Sequence, residues 1–262
     1  MMNENQHVFA NRVILITGGA SGIGQATTRA FAAAGATVGI LDVCDDSTLA
    51  AEVAALCAMG GKAAGRRCDI ADADTVAKVI AELSAELGPI DTLVNNAGVW
   101  EPNPLPDSSL ALFDRHIDVN LKGTFYVTQA CLPAMIARGG GNIINIASVS
   151  GTAGRAGDSA YSSSKAGVVM LTRTLAAELG PKGIRVNGVA PGAVATPLTA
   201  SLRTPEGEVA IASLMASHPG PNNRFFIPAE DIADIILFLA SDNSRAIHGA
   251  MIPVDEGLTA VM

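Results

Sequence analysis

The chain has 262 residues, of which 49% are hydrophobic and 16% are charged. This composition allows a large buried core and excludes a disordered chain. The net charge of −8 argues against nucleic acid and anionic membranes as partners, because binding to either needs basic patches.

Short apolar runs alternate with helical patterns along the chain. The apolar runs predict seven strands, at residues 12–17, 37–42, 63–70, 90–98, 141–148, 184–192 and 249–257. The patterns between them predict helices at residues 25–35, 47–61, 72–88, 108–137, 158–179 and 229–241. Continuous apolar strands that alternate with helices are typical of a parallel sheet with helices on both faces. We find no linker, internal repeat or low-complexity tract, so residues 1–262 are predicted to form one α/β domain.

The segment 193–228 interrupts this alternation. It carries one weak helical pattern, at residues 206–217, and five prolines, which are Pro197, Pro205, Pro219, Pro221 and Pro228. Loops of this length in a compact domain are usually functional, although a tolerated surface insertion is the alternative. We therefore expect a substrate-loop region here. Phe225 and Phe226 could close a lid or belong to the core, and we favour the core.

The first residues lack a basic segment followed by an apolar one, so no signal peptide is predicted. No apolar run approaches the roughly 20 residues that span a bilayer. The four cysteines show no C-x-x-C spacing, and the four histidines show no metal-ligand spacing. These patterns predict reduced thiols, no metal site and a cytoplasmic protein without a membrane partner.

The stretch ITGGASGIGQA places Gly18, Gly22 and Gly24 between a predicted strand and a predicted helix. Glycine allows a sharp turn and lets backbone N–H groups approach a phosphate, and the helix N-terminus favours an anion. A tight strand-to-helix turn also favours glycine, so the cluster is informative only in this context. The position predicts a dinucleotide-binding turn and a Rossmann fold, a doubly wound parallel sheet of about seven strands.

Asp42 ends the second predicted strand, 18 residues beyond Gly24. A carboxylate there can accept hydrogen bonds from both ribose hydroxyls of an adenosine, although a turn aspartate is the alternative. It would repel a 2′-phosphate about 5 Å away by roughly 3 kcal/mol per unit charge at an effective dielectric near 20. Val43 follows it and no lysine or arginine lies beside it, so the sequence favours NAD over NADP.

Tyr161 and Lys165 lie one helical turn apart in the stretch AYSSSKAG. A free tyrosine has a pKa near 10, and a nearby ammonium would lower it toward the range of a useful base. Ser148 ends the fifth predicted strand and could donate a hydrogen bond to a substrate oxygen, or simply cap the loop that follows. The pattern predicts an acid–base device for hydride transfer between an alcohol and a ketone.

Six elements together resemble the short-chain dehydrogenase/reductase family: TGGASGIG, NNAG, Asn120, Ser148, YSSSK and PG. They follow the family's order from about residue 10 to residue 257. The resemblance implies that Ser148, Tyr161 and Lys165 are catalytic. It also implies that Asn120 is a fourth catalytic residue, which holds a water that links Lys165 to solvent.

The resemblance further implies which residues contact the cofactor, NAD. Asp69 and Ile70 would bracket the adenine, and the PG turn that begins at Pro191 would hold the carboxamide. The complete expected set is Gly18, Ser21, Gly22, Ile23, Gly24, Asp42, Val43, Asp69, Ile70, Asn96, Ala97, Gly98, Tyr161, Lys165, Pro191, Gly192, Val194 and Thr196.

A small secondary alcohol, diol or cyclic alcohol and its ketone are the expected substrates, near Trp100 and Ser150. An NAD preference favours oxidation as the direction in a cell. One alternative is a 3-oxoacyl-carrier-protein reductase, which would need NADPH and a basic docking patch. The other is an NAD-binding regulator without turnover. The resemblance also implies a homotetramer, although the C-terminal VDEG departs from the family's frequent Asp-Gly-Gly by placing Glu256 in the middle.

Overall fold

The computed structural model describes residues 8–216, 220–222 and 224–261. Within them, seven strands form one parallel sheet. The strands are β1 Val13–Thr17, β2 Thr37–Asp42, β3 Ala63–Arg67, β4 Thr92–Asn95, β5 Gly141–Ile146, β6 Ile184–Pro191 and β7 Met251–Val254. Their order is β3-β2-β1-β4-β5-β6-β7. The chain therefore winds outward in both directions from β1 and β4, which confirms the predicted doubly wound sheet.

Eight α-helices connect or follow these strands in the described part of the chain. They are α1 Gly22–Ala33, α2 Asp46–Ala58, α3 Ala73–Leu87, α4 Leu110–His116, α5 Thr124–Arg138, α6 Ser159–Leu179, α7 Pro205–Ala216 and α8 Ala229–Ala240. A π-helix, Ile117–Gly123, joins α4 to α5. Short 3-10 turns lie at Leu105–Asp107, Val149–Gly151, Gly180–Lys182, Pro197–Arg203, Asp242–Ser244 and Leu258–Val261.

Two hydrophobic clusters cover the two faces of the sheet. All five residues of β1 are buried, because successive side chains of a central strand point to opposite covered faces. Leu15 packs into the cluster beneath α3, α5 and α6, while Ile14 and Ile16 pack into the cluster beneath α1, α2 and α8. This double coverage is why the strands read as continuous apolar runs.

The prediction of one continuous helix over 108–137 is wrong. The chain forms α4, then the π-helix, then α5, so one extra residue is accommodated inside an otherwise helical path. The Thr124 hydroxyl donates to the Asn120 carbonyl oxygen at 2.8 Å at this junction. Asn120 itself is fully buried, which a regular exposed helix face would not have achieved.

Several predicted boundaries also move. The strands predicted at 63–70 and 141–148 end at Arg67 and Ile146, because the chain turns there to form the loops at the sheet's carboxyl edge. The helix predicted from residue 25 begins at Gly22, inside the glycine turn. Gly22 and Gly24 therefore belong to the first turn of α1, while Gly18 lies in the loop before it.

The described part of segment 193–228 contains regular elements. It holds the 3-10 turn Pro197–Arg203, helix α7 where the weak pattern predicted a helix, and an isolated bridge between Val194 and Ile227. Pro219 and the other residues of 217–219, together with residue 223, lie outside the described residues. Phe225 and Phe226 are only half-buried, so their predicted place in the core is wrong.

Candidate active site

A cavity of about 690 Å³ opens at the carboxyl edge of the sheet, beside β1 and β4. Ligands of open parallel sheets bind at this edge, where the strand order reverses. Every residue predicted to bind cofactor or substrate or to act in catalysis lines the cavity, except Gly24 and Asn120. The structure therefore brings together positions as far apart in sequence as Gly18 and Thr196.

Gly24 lies behind the cavity and allows the glycine turn to close. A Cβ atom on Gly24 would lie 1.9 Å from the Gly18 carbonyl oxygen, and only a hydrogen fits there. Gly18 and Gly22 have φ values of +64° and +53°, which an L side chain rarely adopts. The Asn96 side-chain amide donates to the Thr17 and Gly18 carbonyl oxygens at 2.9 and 3.1 Å and fixes the turn from the β4 side.

The turn fits the pyrophosphate of a dinucleotide. The Ser21 side chain does not cap α1, and the first turn of α1 contains no acidic residue. Backbone N–H groups at the start of a helix then face an anion with a favourable dipole. A Cβ on Gly22 would come within 3.1 Å of Thr196, so the cradle is also closed from the β6 side.

Asp42 is a turn aspartate that also lines the cavity, and its contact with the ribose stays a prediction. Its carboxylate accepts hydrogen bonds from the backbone N–H groups of Ala20 at 2.9 Å and Cys44 at 3.0 Å. The same carboxylate lines the cavity. The two amides fix its orientation and leave a negative charge at the end of β2.

Ser148, Tyr161 and Lys165 meet in the middle of the cavity. Ser148 follows β5, and its hydroxyl hydrogen-bonds with the Tyr161 phenol while accepting from the Ser150 backbone N–H at 3.1 Å. The Lys165 ammonium lies 5.9 Å from the centroid of the Tyr161 ring and donates to the Ile146 carbonyl oxygen at 2.8 Å. The i, i+4 spacing therefore does place a phenol beside an ammonium.

The expected effect of Lys165 on the pKa of Tyr161 is wrong in this structure. Although part of the Tyr161 side chain faces the cavity, packed protein surrounds it, and desolvation raises its pKa to about 12. The hydrogen bond with Ser148 lowers that pKa and the charge of Asp158 raises it. Desolvation also lowers the pKa of the buried Lys165 to about 8. Burial therefore affects both pKa values more than the closeness of the two groups does.

Asn120 connects the chain after β4 to α6. Its side chain accepts from the Val99 N–H at 2.8 Å and donates to the Val99 carbonyl oxygen at 3.0 Å. It also donates to the Ser164 hydroxyl at 3.0 Å. A Cβ on Gly98 would lie 3.0 Å from the Asn120 amide oxygen and 3.4 Å from the Lys165 ammonium. Asn120 thus lies close to Lys165, and its part in a proton relay stays a prediction.

Asp158 is a functional candidate beyond the catalytic residues that the sequence predicted. It occupies the N-cap position of α6, yet its side chain makes no cap hydrogen bond. Instead it accepts from the Trp100 indole N–H at 2.9 Å and lies 3.7 Å from the Arg155 guanidinium. The carboxylate is 2% exposed and lines the cavity. It fixes Trp100 in the cavity wall near Tyr161.

Apolar side chains line the rest of the substrate end of the cavity. Segment 193–228 contributes most of them, as expected of a substrate-loop region, and the C-terminal tail adds Leu258. They are Leu198, Leu202, Leu214, Phe225 and Leu258. These walls suit a hydrocarbon skeleton.

Metal ligands, membrane-spanning helices and cysteines are the other features to consider. Among the residues described, no group of three or more His, Cys, Asp or Glu side chains is placed to hold a metal ion. The part of the chain that the structure describes also has no helix of the length and apolarity needed to cross a membrane. All four cysteines are free thiols, and Cys68 and Cys131 are buried in the core.

Known proteins resemble the chain over nearly its whole length. Residues 18–259 match the model of a family described as enoyl-(acyl carrier protein) reductase. The chain is 42% identical to the 3-oxoacyl-[acyl-carrier-protein] reductase FabG of Thermotoga maritima, over 94% of this chain and 97% of that protein. It is also 42% identical to cis-4-hydroxycyclohexanecarboxylate dehydrogenase of Sinomonas cyclohexanicum, over 97% of this chain and 98% of that protein. The crystal structure of levodione reductase superposes with a TM-score of 0.90 at 34% identity, over 97% of this chain and 100% of that one.

The close contact at Gly24 yields a first prediction. Gly24→Ala would push a methyl group into the Gly18 carbonyl and displace the turn, so we expect NADH binding to weaken by about tenfold or more. Fluorescence of Trp100, the only tryptophan, measures that binding from within the cavity. Gly61→Ala, whose methyl would meet nothing closer than 3.5 Å, is the matched control and should bind normally. Normal binding by Gly24→Ala as well would contradict the role given to the turn.

Proposed function

Because the chain belongs to the short-chain dehydrogenase/reductase family and is an oxidoreductase that acts on CH–OH groups, we propose that it interconverts a secondary alcohol and its ketone with NAD. The observation that carries this proposal is the meeting of Ser148, Tyr161 and Lys165 in one cavity with the glycine turn. The apolar walls favour a cyclic alcohol or a diol, and the name of the Sinomonas relative supports a ring substrate.

The residues that would hold the dinucleotide are the ones that the family resemblance implies, and their place in the cavity lining supports this. The glycine turn would bind the pyrophosphate, Asp42 the adenosine ribose, and Ile70 the adenine. The turn at Pro191 and Gly192 would hold the carboxamide. The nicotinamide, when bound, supplies the hydride acceptor for oxidation or the hydride donor for reduction.

The chain's own side chains handle the proton. In oxidation, Ser148 donates a hydrogen bond to the alcohol oxygen and holds it beside the Tyr161 phenolate. Tyr161 takes the hydroxyl proton as the carbinol hydrogen leaves as hydride, and a ketone forms. Lys165 then exchanges a proton with Tyr161, and Asn120 holds the route to solvent.

The pKa of Tyr161 determines which protonation state of the phenol is available at a given pH. A phenol with a pKa of about 12 keeps its proton at neutral pH, which suits donation to a ketone. Oxidation needs the phenolate, so its rate should rise with pH into the alkaline range. Within the protein, the hydrogen bond from Ser148 favours the phenolate, while the charge of Asp158 opposes it.

Removing the charge of Asp158 tests this balance. In Asp158→Asn the carboxylate no longer raises the pKa of Tyr161, so the alkaline limb of kcat/KM for oxidation should move to lower pH, by up to about one unit. Asparagine still offers an acceptor to Trp100, so the wall should remain in place. Glu178→Gln, which removes an exposed charge from the far end of α6, is the control. An unmoved limb in Asp158→Asn would show that the phenol does not sense this carboxylate.

The cofactor preference rests on Asp42. We expect Asp42→Asn to raise the ratio of kcat/KM with NADP to that with NAD by up to about 100-fold, since roughly 3 kcal/mol of repulsion is removed. Asp46→Asn changes an exposed acid four residues away and should leave the ratio unchanged. A wild-type enzyme that already prefers NADP would contradict the proposal at once.

A 3-oxoacyl-carrier-protein reductase is the second candidate, and the identity with the Thermotoga relative favours it. Asp42 and the net charge of −8 speak against it, because it would need NADPH and a basic docking patch. A non-catalytic NAD-binding regulator has less support, since Ser148, Tyr161 and Lys165 are all present.

One panel of substrates separates the three functions. We expect NADH formation from ring alcohols such as cyclohexanol, cis-4-hydroxycyclohexanecarboxylate or 1,2-cyclohexanediol, and its loss by a factor of about 100 or more in Tyr161→Phe. Faster NADPH oxidation with an acetoacetyl carrier protein would favour the second function. NADH binding without turnover of any substrate would favour the regulator.

We also infer a cytoplasmic homotetramer. Free thiols at all four cysteines support the compartment. Exposed apolar side chains on the outer surfaces of α4, α5 and α6 support the assembly, because monomers rarely expose several together. They are Phe113, Phe125, Ile136 and Met170.

A further inference from the structure

Glu256 adopts a backbone conformation that L side chains avoid. Its φ is +53°, and among the residues described only Asn11 shares a positive φ without being a glycine. Asparagine tolerates this region, whereas glutamate gains nothing from it locally. A glycine at position 256 would be free of this strain. We therefore expect the side chain of Glu256 to make an interaction that offsets it.

The Glu256 carboxylate joins the C-terminal tail to the end of segment 193–228. Its oxygens accept from the Asn222 side-chain amide at 2.8 and 3.0 Å and from the Arg224 Nε–H at 3.0 Å. Arg224 also donates to Asp231, in the first turn of α8, at 2.5 Å. The Glu256 side chain is 8% exposed and that of Arg224 is 39% exposed, so the ion pair is shielded from solvent only on the glutamate side. We call these four residues the tail clamp.

The tail clamp is close in sequence to two residues that line the cavity. Phe225 follows Arg224, Leu258 lies two residues after Glu256, and both line the substrate end. The tail also abuts the turn after β6, where a Cβ on Gly192 would come within 3.1 Å of Asp255. The clamp thus links the tail, which carries Leu258, to the end of segment 193–228, which carries Phe225.

We propose that Glu256 is a positioning residue, which holds Phe225 and Leu258 at the spacing that binds the hydrocarbon part of the alcohol. This inference rests on the proposed alcohol dehydrogenase function. The strained backbone at residue 256 is retained because glycine, which relieves it, would release the clamp. Glu256 touches no reacting group, so it should affect the KM of the alcohol rather than the chemical step.

The experiment compares Glu256→Gly with Glu256→Gln. Glycine removes the clamp and the strain together, so we expect the KM of the alcohol to rise about tenfold, with kcat and the KM of NAD within about twofold of wild type. Its thermal midpoint should equal or exceed that of Glu256→Gln, which keeps the strained backbone and loses the charge. Glutamine still accepts from Asn222, so its KM should lie between those of wild type and Glu256→Gly. Glu86→Gln breaks a different arginine pair, with Arg66, and is the matched control with unchanged KM.

Two outcomes overturn the proposal. One is an unchanged KM of the alcohol in Glu256→Gly, and the other is a fall in thermal midpoint with kcat and KM both as in wild type. Hydrogen exchange of peptides that cover 224–228 and 255–260 gives a readout that needs no substrate. Faster exchange in Glu256→Gly is expected, and unchanged exchange contradicts the clamp. A wild-type protein without alcohol turnover would instead overturn the proposed function, and the exchange result would still decide the clamp.

Discussion

The contact between Gly24 and the Gly18 carbonyl is the constraint on which the site depends. With no side chain on Gly24, α1 can begin immediately above the end of β1, and the Asn96 amide can reach both carbonyl oxygens of the turn. The end of β2 then lies beside the same turn, where Asp42 accepts from Ala20. One missing methyl group thus brings three strand ends within reach of a single ligand.

A buried polar network fixes the catalytic half of the site against this frame. The Asn95 side chain donates to Thr128 on α5 and to Asn145 on β5, each at 2.9 Å, and Asn145 donates to Thr172 on α6. Such networks have strict geometry, since each unpaired buried group is costly. They set the height of α6 over β5, and hence of Tyr161 over Ser148.

Burial reverses the acid strengths of the two titratable groups in this half. Free tyrosine and lysine have pKa values of 10.0 and 10.5, whereas here Tyr161 lies at about 12 and Lys165 at about 8. Lysine becomes the better acid of the two, so it can release a proton near physiological pH while tyrosine retains one.

The sequence predicted the features that short-range patterns control. Continuous apolar strands, a glycine turn after β1 and an acid at the end of β2 are local, and the parallel sheet collects them at one edge. Interactions over a long separation were not predictable. The π-helix accompanies a bond between Asn120 and Val99, and the role of Asp158 depends on Trp100, 58 residues earlier. The prediction of a lowered pKa for Tyr161 was wrong, because the spacing between Tyr161 and Lys165 gives no information on how deeply the two side chains are buried.

The π-helix Ile117–Gly123 also restricts how this chain can change in length. An α-helix turns by about 100° per residue, so the one extra residue sets the rotation of α5 relative to α4. Deleting a residue from this stretch would restore regular helical phase and turn Asn120 away from Val99 and Ser164. Insertions and deletions in descendants of this sequence should therefore accumulate in segments such as 193–228, while the path from α4 to α5 keeps its length.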